Sequence, residues 1–440
     1  MKRLTGEKKR FLKETAQAYA FLLPSFIILG IFTFWPIGYS LVLSFFNWNF
    51  ATMRNPYFHG WANYAELFRV QTPLSYSFSV GLAYSFLYTA LALWASQWIR
   101  MLLSSVQHPQ RHINLNRLRK LGITLAITLS FLIGVFFSRM QHIPGIWIVG
   151  CVSVFGMILM KKRFTSPFSS NLWFSLLCVV GLYSLMRHLS GVPYELFDFL
   201  VMTKEASLFI KAIYNTLYYV VLTTPTGIVI SLGIALLLNL PIQGKPFFRT
   251  AFFIPYVTSV VAISLVWQWI FNDSFGLMNY VITLFGGNPV RWLTDERWTI
   301  PTVAIISVWK SVGYNAIIFL AGLQSIDKFY YEAAEVDGAK SIQKFRHITW
   351  PLLSPTTFFV LIVSVISNFK VFTEIFVLYN QVPGPYNNSG MTMVYYIFNQ
   401  FYAAQQMGKA SAAAYILFMI ILVLTFFQFR VGRQKVQYVG

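Results

Sequence analysis

The sequence predicts an all-α, polytopic helical membrane protein with about ten transmembrane helices, and three observations predict it. Of the 440 residues, 56% are hydrophobic and only 11% charged, where a soluble globular chain carries about 25% charged residues; mean hydropathy is +0.58. The apolar residues come in runs of about 20, the length that crosses a hydrocarbon core of roughly 30 Å, rather than in the short alternating segments of a transmembrane barrel. The basic residues also concentrate in alternate loops, as orientation in a membrane requires.

The apolar spans fall at about 17–46, 79–104, 121–138, 144–160, 172–189, 209–239, 250–271, 299–322, 356–380 and 411–430. With the N-terminus cytoplasmic, the segments 1–16, 100–120, 161–171, 240–249, 323–355 and the tail from Arg430 face the cytoplasm and hold 23 of the 34 Lys and Arg. The acids do not follow this split: seven of 14 are external and six internal. The net charge of +20 therefore reads as orientation rather than as a nucleic-acid surface, and both termini are expected in the cytoplasm. The first span is too long, and too interrupted by Pro24 and Pro36, for a cleavable signal peptide. Cys151 and Cys178 both lie in apolar spans, where packing is the expected role.

Three blocks follow. Residues 1–74 give a basic arm, the first transmembrane helix and an external segment. Residues 75–193 give a four-span insertion whose role the sequence does not state. Residues 194–440 give five spans and the most structured loop. The external loops, about 190–208, 272–298 and 381–410, are too short for cores of their own. Trp35, Trp48, Trp292, Trp298, Tyr395 and Tyr396 read as an aromatic belt at the membrane interfaces. The small run Ser411 to Ala414 suits close helix contact.

Enzymatic signatures are lacking. Gly244-Lys245 runs into Pro246 and has no upstream glycine at the spacing of a phosphate-binding loop. The six histidines are scattered, with no zinc pattern. We expect no catalytic residue, metal or cofactor in this chain. If solute moves at the expense of ATP, another chain must hydrolyse it.

The loop 323–355 stands out. Asp327 can cap a short amphipathic helix that presents Phe329, Tyr330, Ala333, Ala334 and Val336. Gly338 is placed for the left-handed residue that ends a helix, and a second short helix from about Ser341 to His347 leads to Pro351. Such a unit either docks a partner or rests on lipid headgroups. Glu332, Ala333, Ala334, Asp337, Gly338, Ala339, Phe345, Ile348 and Pro351 resemble the EAA loop of binding-protein-dependent ABC importer permeases, with Trp350 standing where leucine usually precedes the proline. The resemblance implies that this loop is the coupling helix, seated in a groove of a cytoplasmic ATPase.

Asn215-Thr216-Leu217, Phe248-Arg249 with Phe253 and Pro255, Trp267 with Phe271, Trp309-Lys310, Ala321 to Gln324 and Phe369 to Phe372 further resemble the MalF/UgpA-like carbohydrate importer permeases. The resemblance covers about 17–70 and 205–435, not 75–193. It implies a bacterial inner-membrane subunit paired with a second homologous permease, two ABC ATPase subunits and an external solute-binding protein. It favours an oligosaccharide such as a maltodextrin-type sugar as cargo, with a glycerol-phosphate-type substrate the nearest alternative.

A sugar path needs directed hydrogen bonds together with apolar faces. Trp267, Gln268, Asn272, Lys310, Asn315, Asn368, Lys370, Glu374 and Tyr379 supply them on the spans that the resemblance places in the transport core. Charges within spans default to function; Lys370 and Glu374, four apart, could instead form a structural ion pair on one helix face. Two rival readings are an ion-driven secondary transporter using Lys310, Lys370 and Glu374, and a membrane scaffold using 75–193 as its surface. The first predicts internal repeats and discontinuous helices; no convincing repeat is present, and it leaves the 323–355 loop unexplained.

Overall fold

A computed structural model describes residues 6–51, 55–70, 196–241 and 243–435, with Leu74 and Phe78. The spans expected at 79–104, 121–138, 144–160 and 172–189, with Cys151 and Cys178, lie outside the described residues. The chain divides into two units, one of residues 1–71 with 207–440 and one of 72–206.

The first unit opens with α1 (Gly6–Leu29), a π-helical turn (Gly30–Phe34) and α2 (Trp35–Leu43). The wide turn sits directly before Trp35-Pro36. Proline has no N–H, so the usual ladder slips, and Trp35 N–H donates to the Gly30 carbonyl instead. Gln17–Leu43 is long and apolar enough to span, and none of its residues is buried. A small hairpin follows, with β1 (Phe46–Asn47) antiparallel to β2 (Tyr57–Phe58), and then α3 (Ala62–Leu67). Asn63 ties these together by donating both amide hydrogens, to the Ser44 and Phe46 carbonyls, at 2.9 Å each.

In the second unit, α4 (Leu196–Ala206) is described, and the Phe199 ring meets Phe78 at 5.6 Å.

The first unit continues with α5 (Leu208–Asn239), α6 (Lys245–Val257), α7 (Val260–Ile270), α8 (Leu277–Leu284) and α9 (Glu296–Gln324). Helices α5 and α9 are its central pair, and they run parallel. Near their starts, Asn215 donates to the Ser389 carbonyl while Thr299 shares a hydrogen bond with the Ser389 hydroxyl. Midway, Ser231 Oγ donates to the Val312 carbonyl at 3.0 Å. Near their ends, Leu232, Ala235 and Leu238 pack with Phe319, Leu320 and Leu323. Parallel neighbours require the intervening chain to cross back, so α6 and α7 together traverse the bundle rather than re-entering one face.

They do so around a bend of 97°. Thr258 and Ser259 adopt extended backbone, with ψ of 143° and 128°, just after Pro255. The continuous helix expected at 250–271 is thus two short ones.

The loop unit comprises α10 (Lys328–Val336), α11 (Ser341–Lys344), a π-helical turn (Phe345–Thr349) and α12 (Trp350–Leu352). The wide turn again precedes a Trp-Pro pair, and Trp350 N–H donates to the Phe345 carbonyl. Then come α13 (Ser354–Asn368), α14 (Thr373–Leu378), α15 (Met393–Phe398) and α16 (Met407–Lys435). The span expected at 356–380 stops at Asn368, because the chain turns through Phe369–Phe372 and Phe372 takes φ −153° and ψ −58°. Lys370 and Glu374 therefore share no helix face, and the expected ion pair between them does not form. Lys370 is exposed.

Among the described residues, four unbroken helices and two bent pairs are long and apolar enough to span. They fall on the spans expected outside 75–193, except that the second bent pair is Ser341–Leu352 with Ser354–Asn368, which starts within the 323–355 loop and ends well short of 380. Helix α16 starts beside the hairpin, where Met407 N–H donates to the Trp48 carbonyl, and ends beside the first turns of α13, where Phe429 meets Phe358 at 5.6 Å. The end of α16 therefore lies with α10–α12 at the Gln324 end of the bundle. The Glu296 end holds the hairpin and the 380–391 loop. The chain leaves this unit and returns to it at the Glu296 end, since Ser207 Oγ reaches the Leu67 carbonyl at 3.4 Å.

The aromatic belt needs correction. Trp292 is buried against Phe271 and Trp298, at 5.3 and 4.7 Å, and its indole N–H donates to Asn279 Oδ1. Tyr395 and Tyr396 are also core residues, whereas Trp35 remains exposed. The small run in α16 does bring helices close, with Ala412 and Ala413 fully buried.

Candidate functional site

The loop at the Gln324 end is held by its own caps. Asp327 accepts from Phe329 N–H at 2.9 Å, which satisfies one of the orphan donors at the start of α10. At its far end Gly338 takes φ +72°. Gly338 N–H donates to the Glu335 carbonyl and Ala339 N–H to the Ala334 carbonyl, at 3.0 and 2.9 Å, the paired bonds of a Schellman cap. Lys344 Nζ reaches Glu335 Oε1 at 2.6 Å and joins α11 to α10. Tyr331 and Thr349 share a hydroxyl hydrogen bond at 3.0 Å.

This frame sorts the loop residues into two sets. Phe345 packs against the Leu232–Leu353 core cluster. Ile348 is half-buried beside it, and Pro351 starts α12, so these three anchor the unit to the bundle. Ala334 and Ala339 are half-buried, while Glu332, Ala333, Asp337 and Gly338 are exposed. Phe329, Ala333 and Val336 recur at helical spacing and form an exposed apolar stripe that Ile342 extends. Val336 is 89% exposed.

Within the bundle the expected polar residues separate. Trp267, Gln268, Lys310, Glu374 and Tyr379 belong to one region, where α7 packs on α14. Trp267 stacks on Phe271 at 5.0 Å and meets Trp309 edge-on at 5.6 Å. Gln268 Nε2 donates to the Leu378 carbonyl at 3.0 Å, beside Tyr379. Lys310 Nζ lies 5.7 Å from the centre of the Tyr256 ring, within cation–π range, and Tyr256 stacks on Tyr314 at 4.2 Å. Glu374 lies within electrostatic reach of Lys310, and the buried Tyr219 within reach of Glu374; among the described residues no direct ion pair joins Lys310 to Glu374.

Asn315 and Asn368 belong to a second polar track. Asn315 reaches Ser364 at 3.5 Å, and Asn368 donates to Thr224 at 2.9 Å. Asn272 is a turn residue, its Oδ1 accepting from Ser274 and Phe275 N–H as the chain leaves α7. Between α5, α6 and α9 lies an apolar cleft of about 750 Å³, with Leu222, Ile230, Phe252, Pro255 and Trp309 in its walls.

Sequence reasoning missed Tyr219, Thr224, Tyr256, Ser307, Tyr314 and Ser364. Each sits in an apolar run, where nothing marks it from a packing residue. Asn215, read in the sequence only as part of the family resemblance, donates its amide to the Ser389 and Met391 carbonyls at 3.0 Å each and clamps the 380–391 loop.

At the Glu296 end, Lys409 Nζ lies 2.6 Å from Glu66 Oε2. This hydrogen bond holds the Glu66 carboxyl below its ordinary range, against the opposing effect of partial burial. Folded Glu66 binds its proton less readily than unfolded Glu66. Its contribution to stability is therefore complete above the ordinary carboxylate value and is lost as pH falls through the lower, folded one. We expect the thermal midpoint of the detergent-solubilised protein to fall more between about pH 5 and about pH 3 for wild type than for Glu66→Gln. Parallel pH profiles would remove this role.

Residues 209–435 match the family described as binding-protein-dependent transport system inner membrane component. Among curated proteins, the chain is 34% identical over 270 residues to the arabinooligosaccharides transport system permease protein AraP of Bacillus subtilis (strain 168), covering 60% of this chain and 85% of that protein. It is 35% identical to the lactose transport system permease protein LacF of Rhizobium radiobacter, covering 52% and 77%. It is 33% identical to the sn-glycerol-3-phosphate transport system permease protein UgpA of Agrobacterium fabrum (strain C58), covering 51% and 77%.

Proposed function

Because this chain belongs to the family of binding-protein-dependent transport system inner membrane components, we propose that it is one permease subunit of an ATP-driven carbohydrate importer. The observation that carries the reading is the rigid α10–α12 unit, which projects an unpartnered apolar stripe from one end of a membrane bundle. The concentration of basic residues in its loops supports a cytoplasmic placement of that end. An ATPase subunit would seat Phe329, Ala333, Val336 and Ile342, and Phe345 would pass its movement to α5, α9 and α13. With one such loop per chain, a second, related permease would complete the pathway above two ATPases. A solute-binding protein would deliver cargo to the Glu296 end.

In the pathway, Trp267 and Trp309 would offer faces to a sugar ring, and Gln268, Lys310 and Glu374 its directed hydrogen bonds. ATP-driven closure of the ATPases would shift the permease pair between outward- and inward-facing states. Cargo is read as an oligosaccharide from the arabinooligosaccharide and lactose relatives. The glycerol-3-phosphate relative supports a small phosphorylated polyol as the second reading, with Lys310 as the cation to meet it.

The test is reconstitution of the full chain with its partner permease, ATPase and binding protein in proteoliposomes. ATP hydrolysis and uptake are scored against arabinan, galactoside and maltodextrin oligomers and glycerol 3-phosphate. Stimulation by none of them would sink the reading. Val336→Asp sits on open surface, where substitutions usually change stability by no more than about 0.5 kcal/mol. It is expected to leave the thermal midpoint in place while lowering ATPase co-purification at least fivefold. Full retention of the ATPase would mean that the stripe is not the contact.

A further inference from the structure

The Glu296 end holds a polar cavity of about 230 Å³ between β1 and the start of α16. Asn47, Trp48, Asn49, Asn63, Gln406 and Lys409 line it. At ~30 Å³ per water the space equals about eight waters, the scale of a single pyranose ring. We propose that it is a binding site for one neutral, hydroxyl-rich ring, an ancillary sugar site distinct from the polar cluster within the bundle. The cargo class and the outward sidedness of this end rest on the function proposed above.

The chemistry of the walls argues for such a ligand. Carboxamides dominate, and an amide offers both a donor and an acceptor, which is what a hydroxyl needs. Asn63 spends both amide hydrogens on the Ser44 and Phe46 carbonyls and keeps Oδ1 as an acceptor. Asn47 donates through Nδ2 to the Tyr57 hydroxyl and likewise keeps Oδ1. Among the described residues, no side-chain hydrogen bond engages the Gln406 amide, which supplies donors. Trp48 adds an aromatic surface for the apolar face of a ring. The one cation, Lys409, is already neutralised by Glu66 at 2.6 Å, so the site favours neither anions nor cations.

The cavity is also built rather than incidental. Phe50 N–H donates to the Gln405 carbonyl and Met407 N–H to the Trp48 carbonyl, at 3.0 and 2.9 Å, and these bonds stitch its walls together. Gln405 takes φ +52°, a left-handed conformation that costs a non-glycine residue free energy and clusters at ligand-binding positions. A Cβ at Gly408 would stand 2.0 Å from the Phe46 carbonyl oxygen, so glycine lets the start of α16 close the floor.

The experiment is saturation-transfer NMR on the full chain in lipid nanodiscs, without ATPase or binding protein, using neutral methyl pyranosides and methyl glucuronide as probes. Neutral glycosides are expected to bind in the millimolar range and the glucuronide at least fivefold more weakly. Gln406→Ala and Trp48→Ala should each cut the neutral signal at least fivefold, while Trp48→Tyr keeps most of it. If Trp48→Ala lowers the thermal midpoint, Gln406→Ala decides. Equal signals in wild type and Gln406→Ala, or equal binding of neutral and anionic rings, would overturn the proposal, leaving a water-filled cavity. Uptake by the complete importer is scored separately. A failure there for every carbohydrate sinks the importer reading, whereas loss of the Gln406-dependent signal sinks this site alone.

Discussion

Gly338→Val is expected to abolish coupling while leaving the bundle intact. A left-handed backbone costs an L-residue about 1–2 kcal/mol, and for a β-branched one it is a genuine outlier. The cost is conformational rather than steric, since a Cβ at Gly338 meets nothing within 4 Å. To relieve it, the chain must give up the Gly338–Glu335 and Ala339–Ala334 bonds, and α11 then swings relative to α10. We expect at least a tenfold fall in sugar-stimulated ATP hydrolysis in proteoliposomes, with membrane insertion and thermal midpoint unchanged. Gly338→Asn should retain most activity, because asparagine tolerates the left-handed region. Wild-type hydrolysis by the valine variant would remove the cap from the coupling scheme.

Gly313→Ala is expected to do the opposite, damaging the fold before any activity is measured. A Cβ there would lie 1.7 Å from the Phe252 carbonyl oxygen and 2.4 Å from its carbon. Both atoms are backbone, so no side chain can rotate away, and α6 must lift off α9. Overpacking typically costs about 1–3 kcal/mol and occasionally more; a whole-helix displacement belongs at the upper end. The variant should show a thermal midpoint several degrees lower and a reduced monodisperse yield on size exclusion. Gly227→Ala and Gly233→Ala, with nothing within 4 Å of either Cβ, should behave as wild type. A wild-type midpoint for Gly313→Ala would show that the close crossing of α6 on α9 is not required.

The two glycines also show what was legible in the chain. Gly338 could be read beforehand because a cap is local chemistry: Asp327 nine residues before Val336, then Asp337-Gly338 beyond it, state where α10 starts and stops. Gly313 could not, because its reason is a carbonyl sixty-one residues earlier in sequence. The existence of the spans followed from hydropathy, but their internal breaks did not. Pro24, Pro225 and Pro301 lie inside helices that continue, so Pro255 gave no warning of the bend three residues later. Phe369, Val371 and Phe372 are as apolar as the helix before them, which hid its end at Asn368 and made Lys370 and Glu374 look like partners. Among the path residues, Trp267, Gln268, Lys310, Glu374 and Tyr379 came together, whereas Asn272 proved to be turn chemistry and Asn315 and Asn368 a separate track.

The bend between α6 and α7 has a consequence for hydration. Helices of 13 and 11 residues reach only about 20 and 16 Å at 1.5 Å per residue, so neither crosses a hydrocarbon core alone and the joint falls at depth. There the last carbonyls of one helix and the first N–H groups of the next have no helical partners. The Ile254 carbonyl already accepts from Thr258 N–H at 3.1 Å, and Thr258 Oγ1 adds a second bond to it at 2.9 Å, so this hydroxyl serves none of the later carbonyls. Oil does not tolerate such groups; they persist only against protein or along a water-filled passage. The joint must therefore face protein or water rather than lipid tails, a constraint on the wall of the bundle that an unbroken helix would not impose.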